Sequence, residues 1–98
     1  MISVYFINEL ATDNYKIGIT NNTTRRLREL QTANKRPLVL RGTIDFSTRA
    51  RASVIEKVLH TSLESFRLNG EWFVLPDDAL DMIAQEFDFN QVESLGEM

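Results

Sequence analysis

The 98-residue chain contains no cysteine and only one histidine, His60. Without thiols it can form neither a disulfide nor a zinc-thiolate site, and one imidazole cannot build a multi-histidine metal centre. Any metal is therefore expected to be a hard cation held by carboxylate and water. The sequence also has no run approaching the roughly 20 apolar residues needed to span a bilayer, and no basic N-terminal segment followed by an apolar one. A cytoplasmic protein without a membrane partner is expected. Lysine and arginine are missing altogether after Arg67, although eight acids (Glu71, Asp77, Asp78, Asp81, Glu86, Asp88, Glu93, Glu97) follow that point.

The cations lie upstream. Between positions 16 and 51 there are nine (Lys16, Arg25, Arg26, Arg28, Lys35, Arg36, Arg41, Arg49, Arg51) against two acids, Glu29 and Asp45. The net charge of −3 hides this division. If the basic segment forms one face it suits a polyanion; alternatively, two solvated faces simply attract each other. A chain of this length buries roughly two thirds of its unfolded surface around a single core, which suits one domain.

Residues 3–8, SVYFIN, are rich in β-branched and aromatic side chains, and Asp13-Asn14 supplies a turn before YKIGIT resumes alternation. This is a hairpin pattern. Tyr15, Ile17 and Ile19 share one face of the second strand and Lys16, Gly18 and Thr20 the other. Asn22 or Thr23 can cap a helix to about Ala33 with Leu27 and Leu30 inward and Arg26 at the edge of that stripe, and 38–46 reads as a third strand. Within it, Gly42 marks a bulge or a close backbone approach. A long helix from Thr48 to about Phe66 buries Ile55, Val58, Leu59, Leu63 and Phe66, and sets Arg49, Glu56, His60 and Arg67 along one bordering stripe. A turn and short strand follow at 69–75, then a helix from Asp77 or Asp78 to about Phe87 with Leu80, Ile83, Ala84 and Phe87 inward. The expected fold is α+β, with a mainly antiparallel three-stranded sheet flanked by helices, a short extra strand and a C-terminal helix. Residues 1–88 form the expected domain and 89–98 an acidic, frayed tail.

Four pieces in order (VYF at 4–6, KIG at 16–18 with Arg26 eight positions after Gly18, IEKVLH at 55–60 and GEWF at 70–73) resemble the GIY-YIG nuclease superfamily. The nearest likeness is to a compact, phage-associated branch in which Lys-Ile-Gly replaces Tyr-Ile-Gly. The resemblance, which covers 4–75, implies a divalent-cation-dependent phosphodiesterase acting on DNA, in the host cytoplasm if phage-encoded. It matches Tyr5 to the first motif tyrosine, Lys16 to the second, Gly18 to the motif glycine, Arg26 to the catalytic arginine and Glu56 to the metal-binding glutamate. The chain departs from the pattern at Lys16, and at Leu30, where many members carry histidine or tyrosine. Asn69 stands only roughly where many members place an asparagine.

Breaking a phosphodiester needs an in-line nucleophile, a cation to offset developing charge and a route for protons. Glu56 suits Mg²⁺ or Mn²⁺, which keep several waters; alternatively it pairs with His60 at i+4. The planar fork of Arg26 suits phosphate oxygens, or it is a surface arginine. Tyr5 can orient water or, if its pKa were lowered, take a proton; otherwise it is core. Lys16 can contact the scissile phosphate and hold Tyr5 partly ionised, or act uncharged as a base, or mark a lost tyrosine role, and His60 can relay a proton, join Glu56 at the metal or be a satisfied, partly buried histidine. Gly18 would admit substrate, with Arg25, Arg28, Lys35, Arg36 and Arg41 on the DNA backbone. Trp72 is core or a base-stacking platform, and Glu71 an accessory acid or a strand-end carboxylate. The rival readings are a DNA-binding module that has lost cleavage, and an interaction protein using its acidic C-terminal helix. So small a domain is expected to gain specificity from a second copy or a protein partner.

Overall fold

Alternating β-branched and aromatic residues form the first hairpin of the computed structural model, which describes residues 1–95. Strand β1 (Ile2–Glu9) pairs antiparallel with β2 (Asn14–Thr20), placing Tyr5 opposite Gly18 and Ile7 opposite Lys16. The buried Asn8 side chain donates to the carbonyls of Thr12 and Asn14, both at 3.0 Å, and so fixes the intervening turn. Helix α1 (Thr23–Thr32) starts where the Asn22 side chain accepts from the Arg25 amide at 2.9 Å, a cap worth about 1 kcal/mol. Leu27 and Gln31 are its buried positions, and Gln31 accepts from the Leu38 amide at 2.7 Å, tying the helix to strand β3 (Leu38–Phe46).

Helix α2 (Arg49–Ser62) is capped by Thr48 and gives way to a 3-10 turn (Glu64–Phe66), strands β4 (Arg67–Asn69) and β5 (Trp72–Val74), helix α3 (Ala79–Glu86) and strand β6 (Phe89–Leu95). The fold is α+β. All strands join one sheet in the order β4-β5-β2-β1-β3-β6, with every pairing antiparallel. The sheet alternation splits the interior. Val4, Phe6, Ile17, Ile44 and Phe73 pack beneath α2 and α3, whereas Tyr5, Ile7, Leu38 and Leu40 pack beneath Leu27 of α1. No described helix is long and apolar enough to cross a membrane.

The structure corrects several expectations. The sheet has six strands rather than three plus one, because β4, β5 and β6 extend both edges. The long helix stops at Ser62, so Arg67 enters β4, where its guanidinium bonds Glu64 and the Gly70 carbonyl and lies over Phe73. Residues 89–95, expected to fray, form β6 on β3; positions 96–98 of that expected tail lie outside the described residues. Gly42 accounts for the third difference. The Phe89 ring occupies the space a Cβ on Gly42 would need and meets Phe6 edge-on at 5.3 Å, while Glu93 pairs with Arg41 at 3.3 Å. The ladder also shifts register between Leu40 and Gly42, so Gly42 serves both a bulge and a close approach. In α3, Ala79 is buried and Ala84 is exposed, the reverse of the expected inward position for Ala84, and Val58 and Phe66, expected inward on the long helix, are exposed because α2 buries only Ala52 and Leu59 fully.

Candidate functional site

The antiparallel register of β1 and β2 puts Tyr5, Gly18 and Lys16 on one face of the sheet, the face crossed by α1. Tyr5 is 1 % exposed, and its ring reaches across β2 through the space that Gly18 leaves open. A Cβ at Gly18 would lie 2.5 Å from the Tyr5 hydroxyl and 2.8 Å from Cζ, so only glycine lets the phenol rest there. Arg26, in the first turns of α1, donates from Nε to that hydroxyl at 3.4 Å, while its Nη1 lies 3.5 Å from Glu29.

Because the hydroxyl accepts from Arg26, its own proton is free to point elsewhere. Burial raises the Tyr5 pKa above the ordinary phenol value; the Arg26 hydrogen bond and charge oppose this, and the charges of Glu71 and Glu56 add to it. The phenol is therefore neutral at pH 7. In this state Tyr5 is a hydrogen-bond donor.

Lys16 lies between two groups from the β4–β5 hairpin. Its Nζ is 3.4 Å from Glu71 Oε1 and 5.7 Å from the centre of the Trp72 ring. Only 14 % of the Lys16 side chain is exposed, so its charge is held at the sheet surface. Glu71 is the residue that sequence reasoning left out of the central set. Its carboxylate comes within 3.1 Å of the Gly18 Cβ position, and its charge acts on both Tyr5 and Glu56. Its sequence signal was available but weak: it follows Gly70, whose φ of +51 turns the chain back toward β2, and its backbone carbonyl accepts from Ile17 at 3.0 Å.

Glu56 reaches the same region from α2. Burial raises its pKa, the Glu71 charge raises it further, and His60, Lys57 and Lys16 pull it down. A half-buried carboxylate facing a second one is a site where added positive charge is favourable. Among the described residues no group of three or more His, Asp or Glu side chains converges as a metal cage. A lone half-buried carboxylate such as Glu56 would suit only a hard cation that keeps most of its water.

Other expected site residues lie elsewhere. His60 turns under the sheet, where Nε2 donates to the Ile17 carbonyl at 2.9 Å and the ring lies 5.0 Å from Phe73. Arg41 hydrogen-bonds Asn8 and pairs with Glu93 beside Asp77 and Asp81, apart from the α1 cations. Arg25 and Arg28 are exposed on α1, and Lys35 and Arg36 are exposed in the loop after it. Asn69 is exposed in β4.

Tyr5, Gly18, Arg26 and Glu56 lie within residues 2–88, the span matched by the T5orf172 domain model. The chain belongs to the T5orf172 domain family. This is a phage-associated family, and the match includes every residue of the candidate site. No curated protein and no solved structure matches the chain. The T5orf172 match ends at residue 88, so β6 lies beyond it.

Proposed function

We propose that this T5orf172 domain is a small divalent-cation-dependent endonuclease that hydrolyses DNA phosphodiester bonds, with its site arranged on the GIY-YIG pattern. The observation that carries this reading is the Tyr5–Arg26 hydrogen bond over Gly18, on the sheet face that also presents Lys16. The Tyr5 ring packs in the core beneath α1, but its hydroxyl meets the Arg26 guanidinium, and a polar contact of this kind at the edge of a core is what supports a built site over a solvated face.

In this reading Arg26 and Lys16 grip the scissile phosphate, Arg26 with its terminal nitrogens and Lys16 as a point charge released from Glu71. Tyr5 donates a hydrogen bond from its hydroxyl to a non-bridging phosphate oxygen. Glu56 would hold Mg²⁺ or Mn²⁺, which supplies positive charge against the charge that develops on the phosphate. Attack by water forms one P–O bond and breaks another; the proton lost by the attacking water passes to bulk solvent, and the departing oxygen takes its proton from solvent. His60 acts through position: its bond to the Ile17 carbonyl fixes α2 against β2 and thereby sets Glu56 at the site. Arg25, Arg28, Lys35 and Arg36 extend the cationic side along the DNA backbone.

The Lys16–Glu71 ion pair also favours a second reading, a DNA-binding module without cleavage, because it neutralises the cation nearest Gly18. Incubation with supercoiled plasmid separates the two. Conversion to nicked or linear DNA in Mg²⁺ and none in EDTA supports the nuclease; a salt-sensitive, metal-independent mobility shift without strand breakage supports the binding module.

A further inference from the structure

We propose that the outer face of α2 is the seat of a second copy of this chain, docked about a two-fold axis with the two α2 helices antiparallel. Arg51, Val54 and Val58 form an outward stripe at helical spacing, and the two valines are 59 % and 46 % exposed. Two apolar hollows flank this stripe. One, of about 320 Å³, lies at the N-terminal half of α2 and is lined by Phe46, Ala50, Val54 and Ile55. The other, of about 500 Å³, lies at the C-terminal half between α2 and α3, with Val58, Phe66 and the 59 % exposed Met82 on its wall. Scattered exposed apolar residues need no explanation, but a contiguous ridge with a hollow on either side marks an interaction surface.

Charge selects the occupant and its direction. Arg51 borders the first hollow and Glu86 the second, and among the described residues neither has an ion-pair partner within the chain. Antiparallel docking that sets Val54 against the partner's Val58 carries Arg51 to the far end of the partner's α2, beside the partner's Glu86. The two-fold axis repeats that ion pair, and Met82 of each copy fills the opposite hollow. Parallel docking would instead set arginine beside arginine and glutamate beside glutamate. At about 100° per residue Glu56 lies on the opposite side of α2 from this stripe, and Tyr5 lies across the sheet, so both candidate sites would stay open.

Sedimentation velocity of the full chain over about 1 to 100 μM, a range that brackets moderate affinities, tests this. Dimers are expected for the wild type and monomers for Val58→Asp, with circular dichroism unchanged because the position is exposed. Arg51→Glu and Glu86→Arg should each weaken the dimer by about tenfold or more, and the double variant should restore it. A monomeric wild type, a dimer that survives Val58→Asp, or charge reversals that leave association unchanged would each overturn the proposal. Should Val58→Asp fail to fold, the charge-reversal set decides alone.

Discussion

Arg26 and Tyr5 stand 21 positions apart in the chain, yet the arginine Nε donates to the tyrosine hydroxyl at 3.4 Å over a glycine that makes room for the contact. One bond thus ties the first turns of α1 to the central strand and aligns a cation with a neutral phenol. Removing only the hydroxyl separates this role from packing. Tyr5→Phe should keep the fold within about 1 kcal/mol, the net worth of one hydrogen bond. Cleavage should fall by about tenfold to a hundredfold, since Arg26 loses its guide and the phosphate its donor. Thermal melting and initial cleavage rates measured side by side check both parts.

Gly18 offers a test that changes no polar group. In Gly18→Ala the new methyl must displace the Tyr5 hydroxyl, so overpacking should cost about 1 to 3 kcal/mol and cleavage should drop with it. The double variant Gly18→Ala with Tyr5→Phe should be less damaged in stability than the two single effects added together, because both act through the same contact. Urea unfolding of the four proteins in the cycle measures the coupling.

Glu56 should trade stability for function. Its raised pKa means that the folded state binds the proton more tightly than the unfolded chain does, for which 4.5 is the ordinary value. Its contribution is thus fully present below that value and is lost as pH rises through the native pKa. At neutral pH the ionised group is a cost. Glu56→Gln should therefore melt somewhat above wild type in EDTA at pH 7, with the gap closing toward about pH 4, while cleavage is lost. A lower melting temperature for the variant at pH 7 would contradict the assignment.

The site was more legible in the sequence than its surroundings. Strand alternation alone places Lys16 and Gly18 on one face, and helical spacing alone brings Arg26 to the edge of the buried stripe of α1. Neither rule reaches side-chain ends. Helical geometry sets His60 one turn from Glu56, but the ring turns to the Ile17 carbonyl, and the register shift around Leu40 and Gly42 takes Arg41 away from the α1 cations toward Glu93. Glu71 acquires its place through a left-handed Gly70, a tertiary consequence of pairing β5 with β2. Strand β6 carries no amphipathic period; it is held by Phe89 in the space over Gly42, a contact between positions 47 apart.

That contact makes β6 part of the folded unit. Phe89→Ala removes a ring that packs over Gly42 and against Phe6, and should destabilise the protein by about 1 to 3 kcal/mol, below the full cost of a core phenylalanine because Phe89 is only partly buried. An exposed neighbour such as Asn90→Ala should cost less than about 1 kcal/mol. Equal melting of Phe89→Ala and wild type would show that β6 adds nothing to the fold.

The central claim is most directly tested by cleavage of end-labelled single-stranded and double-stranded DNA at low salt in Mg²⁺, Mn²⁺ or EDTA, with wild type beside Glu56→Ala and Arg26→Ala. The account predicts strand breaks that require the cation and fall by at least about a hundredfold in either variant. Cutting at the wild-type rate by Glu56→Ala, or DNA binding without any cutting in all three proteins, would contradict it.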